Sequence, residues 1–399
     1  METQIIDGFE IQEEIGSGSF SKVHVAFHIE TSTYVAVKVI NIAKITNSEL
    51  FSLMRETSVF MQVSHPNIIR LIHMHVASDF LYFFLPLCPR TLLQVVNEKK
   101  KGLPEPKVRE YFLQIFDGMR YLHSFPLVVH RDLKLENILL TTDNKVLIAD
   151  FGLCTTSYCN TISGFAGSLG YTAPEVINGI EYKQNCDVWS LGVCLFTMAS
   201  GYMPFTHTSD LKNLYEQVNN LFFPSSFSPA LVNLLQKMLA FKPDQRPNLV
   251  ELQNHPFLSG IAPLPQQIQP RPIMFYDVQT KEDLTKLHRK NTEIQDEFVE
   301  RASNYGIDRD VLISSLRKGA INHDTCIYFL VQFPLHEKPE LRVVPKIQKT
   351  TRKGSEIFKQ IPIASVRNQH KAGSSVRLMQ AEASRRRSLY ERRGPSIQL

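Results

Sequence analysis

The sequence predicts an α+β chain, with strands dominating the stretch up to Leu85, helices beyond it and a basic end. Three observations carry this. Val35-Ala36-Val37-Lys38 alternates β-branched and other residues, and Phe80-Leu81-Tyr82-Phe83-Phe84-Leu85 is the continuous apolar run of a buried strand. Val188 to Ser209 carries no Asp, Glu, Lys or Arg, and reads as a buried central helix stopped at Gly201 and Pro204. From Ile294 to Phe333 the pattern turns helical again. Asp308 stands as an N-cap, Leu312 and Leu316 share a face, and Gly319 ends that helix. Cys326, Phe329, Leu330 and Phe333 then follow helical spacing.

At 399 residues, with 43% apolar and 10% aromatic content, the chain can bury a large core in two or three folding units. The charge-free run is long enough to span a bilayer, but Gly192, Ser200, Gly201 and Pro204 interrupt it, so a core helix is the better account. The start, Met1-Glu2-Thr3, has neither basic nor apolar character, and no export signal is expected. Six cysteines without a Cys-x-x-Cys pair read as reduced thiols of a cytoplasmic or nuclear protein, although Cys154 and Cys159 are near enough for a redox pair. The net charge of +5 hides an asymmetry: from Leu335 onward there are 15 Lys and Arg against 5 Asp and Glu, leaving 29 against 34 elsewhere.

The motif that carries chemistry is Val129-His130-Arg131-Asp132-Leu133-Lys134-Leu135-Glu136-Asn137, with Asp150-Phe151-Gly152 following at a fixed distance. A proton acceptor, an ammonium and two hard oxygen ligands stand in one short stretch, which is the equipment of phosphoryl transfer. Upstream, Gly16-Ser17-Gly18-Ser19-Phe20-Ser21-Lys22-Val23 lets backbone N–H groups approach phosphate closely, and taken alone is equally an ordinary hairpin turn. Lys38 alone would be a solvated strand lysine, and Glu56 alone a surface carboxylate.

Together these residues resemble the protein kinase family, closest to the AMP-activated and microtubule-affinity-regulating kinases of the calcium/calmodulin-dependent-kinase-like group. Ala173-Pro174-Glu175, Asp187-Val188-Trp189 and Asp244-Gln245-Arg246 follow in the family's order. The resemblance implies a bilobal fold over 9–258, with a first lobe from about Phe9 to Leu85 and a helical lobe ending near His255-Pro256-Phe257-Leu258. It implies ATP and Mg²⁺, with protein substrates and transfer to serine or threonine hydroxyls. Asp132 would take the hydroxyl proton and Lys134 would neutralise the phosphate in flight. Asn137 and Asp150 would hold the metal. Nucleotide contacts fall to Ile15, Gly16, Ser17, Gly18, Ser19, Phe20, Val23, Ala36, Lys38, Glu56, Leu85, Pro86, Cys88, Glu136 and Leu139. Leu85 would be the gatekeeper, and Cys88 would offer its N–H to adenine. Arg246 is the expected buried partner of Glu175.

Three departures bear on regulation and specificity. Ser21 replaces the third glycine of the loop. Gly164 stands where relatives carry a phosphorylated threonine, so Arg131 lacks its usual partner. Either Thr161 or Ser163 serves with a shifted loop, or the segment is ordered without phosphate. Thr91 and Thr197 replace acidic residues that hold substrate arginines, leaving Glu136, while Leu153 resembles the choice that favours serine as acceptor.

Residues 259–291, with Pro263, Pro265, Pro270 and Pro272, read as a linker. Residues 292–334, from Asn304-Tyr305-Gly306 to the aromatic third helix, resemble the ubiquitin-associated or autoinhibitory domain of those kinases, three helices expected to dock on the kinase lobes. The basic tail, 335–399, is expected to be a solvated, flexible end, a contact for acidic membrane or an acidic protein surface, or a pseudosubstrate. Ser355 and Ser388 each follow an Arg by three residues, making both autophosphorylation candidates. No aromatic interleaving supports nucleic-acid binding. Regulatory subunits and an upstream kinase are further expected partners. The rival to an active enzyme is a kinase-fold scaffold of weak activity.

Overall fold

The computed structural model describes residues 4–17, 21–77, 79–99, 101–157, 162–206, 209–262, 273, 283–284, 286–289 and 292–341. The small lobe is a six-stranded antiparallel sheet in the order β1-β2-β3-β4-β6-β5. Its strands are β1 (Ile5–Ile6), β2 (Phe9–Ser17), β3 (Ser21–His28), β4 (Thr33–Asn41), β5 (His73–Val76) and β6 (Phe80–Pro86). Alternation along β4 splits its side chains between two faces: Val35 and Val37 point one way, Ala36 and Lys38 the other. Helix α1 (Asn47–Gln62) crosses the Lys38 face and starts at a capping box, in which Thr46 and Glu49 satisfy each other's backbone N–H groups.

Three short strand pieces, β7 (Arg90–Thr91), β9 (Ile138–Leu140) and β10 (Val146–Ile148), form a second sheet in the order β10-β9-β7. A two-stranded pair joins β8 (Val128–Val129) to β11 (Thr155–Thr156). Around them stand α2 (Leu92–Glu98), α3 (Glu105–Ser124), α4 (Pro174–Ile177), α5 (Asn185–Ser200), α6 (Leu211–Asn219), α7 (Pro229–Met238) and α8 (Leu249–Leu252). The charge-poor run is the buried α5, closed by Gly201 at φ 80°. Gly201 also lies too close to the Gly102 backbone for a Cβ, so the position demands glycine twice over. Among the described residues no helix is long and apolar enough to cross a membrane.

Beyond the helical lobe come α9 (Asp296–Ser303), α10 (Arg309–Lys318) and α11 (His323–Leu330). Asp308 caps α10 by accepting from the N–H groups of Asp310 and Val311, and Gly319 ends it at φ 70°. Helix α11 stops at Leu330, so Phe333 lies outside the helical stripe expected to include it. The three helices pack on the outer face of the small-lobe sheet. Phe9, Val35, Val37, Tyr82 and Phe84 share one core with Leu312, Leu316, Tyr328 and Phe329.

The stretch expected as a linker is packed where it is described, Ile273 and Leu284 in the main core and Arg289 at the contact between helices and sheet. Ile273 and Leu284 are buried, and the buried Arg289 donates to the carbonyls of Leu71 and Ile72 while its guanidinium lies 4.1 Å from the Phe329 ring. Arg70 covers the same ring at 4.6 Å. The prolines Pro263, Pro265, Pro270 and Pro272 lie outside the described residues, as do 342–399 with Ser355 and Ser388. At the start of the expected tail, Leu335 and Leu341 lie partly buried against the small lobe, while His336, Glu337, Lys338 and Glu340 between them are exposed.

Phe329 is fully buried at the centre of the contact between helices and sheet. Phe329→Ala should therefore cost about 3–5 kcal/mol, the range for truncating a core aromatic, read as a lower midpoint in urea unfolding.

Candidate functional site

The β9–β10 hairpin builds one wall of the cleft. Ile138 pairs with Ile148, and the N–H of Ala149 donates to the Asn137 carbonyl at 2.9 Å. Asn137, just before the hairpin, and Asp150, just after it, are thereby set side by side. Asp150 takes φ 65° and is exposed, whereas Phe151 is buried with its ring 5.1 Å from His130.

Arg131 also adopts a left-handed conformation, φ 66°, and its surroundings hold it there. The carboxylate of Asp187 at the start of α5 is inaccessible to solvent. It accepts the N–H of His130 at 2.8 Å and of Arg131 at 2.9 Å, and pairs with His123 Nε2 at 2.9 Å. Burial opposes the charge on Asp187, but the bond to His123, its charge and the backbone donors outweigh that, and the pKa lies below the ordinary aspartate value.

Asp132 sits at the centre. Its Oδ1 accepts from the Ser168 hydroxyl at 2.7 Å, and its Oδ2 accepts from Lys134 Nζ at 2.6 Å. Lys134 also donates to Ser168 at 2.8 Å, and Asn137 Nδ2 donates to the Asp132 carbonyl at 2.9 Å. Across the cleft, Lys38 Nζ meets both carboxylate oxygens of Glu56, at 2.6 and 2.7 Å. Burial pulls the Lys38 pKa down, but the carboxylates of Glu56 and Asp150 override it, so Lys38 stays charged and its pKa is raised. Helix α1 is tied to the Asp150 segment a second time, through the Ser52 hydroxyl on the Gly152 carbonyl at 2.9 Å.

Between the walls lies an apolar slot. Above it, Ile15, Val23 and Ala36 gather around Leu87, with Ala36 paired to Leu85 and Val35 to Pro86. Below it, Leu139 and Cys88 pack on the main core that includes Leu85. Burial pushes the Cys88 thiol up to about 12 and raises the carboxyl pKa of Glu136. Gly16 pairs with Val23 and Ser17 with Lys22, so the glycine-rich segment joins two adjacent strands. Gly18, Ser19 and Phe20 lie outside the described residues, as do Thr161 and Cys159. Cys154 is buried, with its thiol pushed up to about 12 by burial, which opposes thiolate chemistry there. Arg246 meets Glu175 at 2.5 Å with both side chains buried.

The structure gives three residues a part in the site that the motif reading did not assign them. Ser168 bridges Asp132 and Lys134, Asp187 holds the loop backbone, and Tyr182 occupies Arg131. Arg131 Nε donates to the Leu153 carbonyl at 2.7 Å and Nη1 to the Tyr182 hydroxyl at 3.3 Å. That hydroxyl in turn donates to the Gly164 carbonyl at 3.0 Å. Arg131 is thus linked through a neutral relay to the position where a phosphorylated residue was expected. Burial and then the charge of Arg131 lower the pKa of Arg55 on α1, so a second cation stands near the same segment. Ser163 is exposed beside Gly164.

Comparison with known families matches residues 9–258 to the protein kinase domain, and the chain belongs to the protein kinase family. It is similar to an SNF1-related protein kinase catalytic subunit alpha, KIN12, of Arabidopsis thaliana, 31% identical over 82% of this chain and 64% of that protein. It is similar also to a human SNF-related serine/threonine-protein kinase, 32% identical over 84% of this chain and 43% of the relative, and to mouse serine/threonine-protein kinase SIK1, 30% identical over 84% and 43%. The chain thus spans between about two fifths and two thirds of the length of these relatives.

If the Tyr182 relay orders the segment around Gly164, Tyr182→Phe should lower turnover. A neutral hydrogen bond contributes roughly 0.5–1.5 kcal/mol, so a loss of about two- to tenfold is expected, with the melting temperature little changed. Steady-state rates on a peptide substrate check this.

Proposed function

We propose, taking kinase-family membership as the premise, that this protein transfers the γ-phosphate of ATP to serine or threonine hydroxyls of protein substrates. The observation that carries the reading is the state of Asp132. One carboxylate oxygen is held by Ser168 and the other by Lys134, so the carboxylate has a set direction before any substrate arrives.

An incoming hydroxyl would approach Asp132 from the cleft, and Asp132 would orient it and receive its proton. Lys134, already beside Asp132, would place its positive charge against the phosphate during transfer. Lys38 would bind the α- and β-phosphates, its ammonium aimed by Glu56. The slot from Ile15 to Leu139 would take the adenine ring, and Cys88 would meet it through its backbone. Asn137 and Asp150 supply an amide and a carboxylate oxygen, a donor set that fits a hard divalent cation. Mg²⁺ held there would neutralise phosphate charge.

The scaffold alternative is not favoured, because binding alone needs neither the Lys38–Glu56 pair nor the Ser168–Asp132–Lys134 arrangement. By similarity to the SNF1-related kinases, the protein is assigned to intracellular signalling, in the cytoplasm or nucleus. The ubiquitin-associated-like reading of α9–α11 assigns them a regulatory role, supported by their direct packing on the small lobe. Regulatory subunits, an upstream kinase and an acidic membrane surface for the basic tail complete the proposed partners.

Asp132→Asn should reduce kcat by about 10²–10⁴-fold, the range for losing a positioned proton acceptor. Lys38→Met should give a comparable loss; Asp132→Asn should keep the unfolding midpoint near that of the parent, whereas Lys38→Met, which leaves the buried Glu56 without its partner, should lower it while keeping the fold. Turnover in radiolabelled-phosphate transfer at the parent rate in either would refute the role given to that residue.

A further inference from the structure

After α11 the chain turns back over the end of the small-lobe sheet where β6 leaves it at Pro86. Strand β6 stops at Pro86, opposite Val35. One residue further along β4, the Tyr34 N–H donates to the Leu335 carbonyl at 2.8 Å, so the returning chain continues where β6 has left. His336 Nδ1 lies 3.0 Å from the Ser32 carbonyl, and Lys338 Nζ reaches Glu13 on β2 at 2.6 Å. Leu335 and Leu341 then pack against the cluster of Val25, Ala36 and Leu87, which Ile15 and Val23 also join.

The register says which face this is. Val23 pairs with Lys38 and Val25 with Ala36, and strand residues two apart share a face. The cluster therefore lies on the side from which Lys38 reaches Glu56, the cleft side. Leu341 thus packs with Ile15, Val23 and Ala36, the residues assigned above to one side of the adenine slot, and not with the outer-face core shared by α9–α11.

We infer that Leu335–Leu341 is a strap that completes the nucleotide pocket, with Leu341 as its outer apolar wall. The strap also holds β2 next to the glycine-rich segment. The Lys338–Glu13 pair is half exposed, and such pairs contribute little, so the apolar contact and the Tyr34 bond carry the attachment. The identity of the ligand as ATP rests on the proposed kinase function, and the position of the strap does not.

The test uses the full chain with Leu341→Asp and the milder Leu341→Ala, and reads two quantities. One is KM for ATP against KM for peptide and kcat; the other is the dissociation constant of a fluorescent ADP analogue. Loss of one apolar wall should weaken nucleotide binding about five- to tenfold in Leu341→Asp, and less in Leu341→Ala. Because contacts to the base are alike in ground and transition states, kcat and peptide KM should stay within about twofold. Unchanged ATP KM and analogue affinity in a Leu341→Asp protein with parental circular dichroism would overturn the inference. Should Leu341→Asp fail to fold, Leu341→Ala decides by the same readings. A parent chain that binds the analogue in a Leu341-dependent way yet transfers no phosphate would overturn the kinase reading and leave the strap standing.

Discussion

A single buried carboxylate shapes the chemistry of this molecule. Asp187 is sealed from solvent, and three donors from two separate segments converge on it. An unpaired charge at such a site would be strongly destabilising, so the surrounding chain is constrained to bring its N–H groups there. The backbone meets that demand by turning Arg131 through a positive φ, a conformation that costs a residue with a side chain about 1–3 kcal/mol. Several features follow from the turn. It aims Asp132 into the cleft, leaves the His130 ring against Phe151, and presents the Arg131 carbonyl to Gly167, where a Cβ would come within 2.5 Å of it. Glycine at 167 is what lets the activation segment lie that close and bring Ser168 to Asp132.

The small-lobe sheet imposes the second constraint, since both of its faces are apolar. One face meets α1 and the cleft; the other would leave Phe9, Val37 and Phe84 in water without α9–α11. The helices are therefore part of the core of the lobe. Their attachment also buries Arg289, whose pKa is lowered by burial first and by Arg70 next. Two carbonyl acceptors and the face of Phe329 are what this guanidinium receives in exchange for water.

Much of the cleft was legible because its residues announce themselves locally. Asp132, Lys134 and Asn137 lie within six positions, and Asp150 follows at a short, fixed distance. The caps of α10, Asp308 and Gly319, were readable for the same reason: a cap acts within three residues of its own position. What escaped notice acts at long range. Ser168 reaches Asp132, Tyr182 reaches Arg131, and Lys338 reaches Glu13, and nothing in the neighbouring sequence of any of them encodes the partner. The prolines after Ser259 suggested a free linker, and composition carries no sign that Ile273, Leu284 and Arg289 beyond them would be buried. The basic count after Leu335 likewise masked Leu335 and Leu341, whose apolar contacts decide where the chain goes.

The closed Lys38–Glu56 pair is best seen as a consequence of this packing. Burying two charges opposes their attraction, and such pairs add little net stability, so the pair alone cannot hold α1 against the sheet. Other contacts do. Leu53, Phe60 and Met61 of α1 are buried with Phe83 behind Lys38, and Ser52 fastens the helix to Gly152. The sheet itself is braced from outside by α9–α11 and beside Leu87 by the strap. With α1, the sheet and the Asp150 segment fixed by these contacts, Lys38 and Glu56 are brought face to face. The aim of Lys38 is thus set by residues far outside the catalytic motif, and the C-terminal extension bears on the cleft through the strands that carry it.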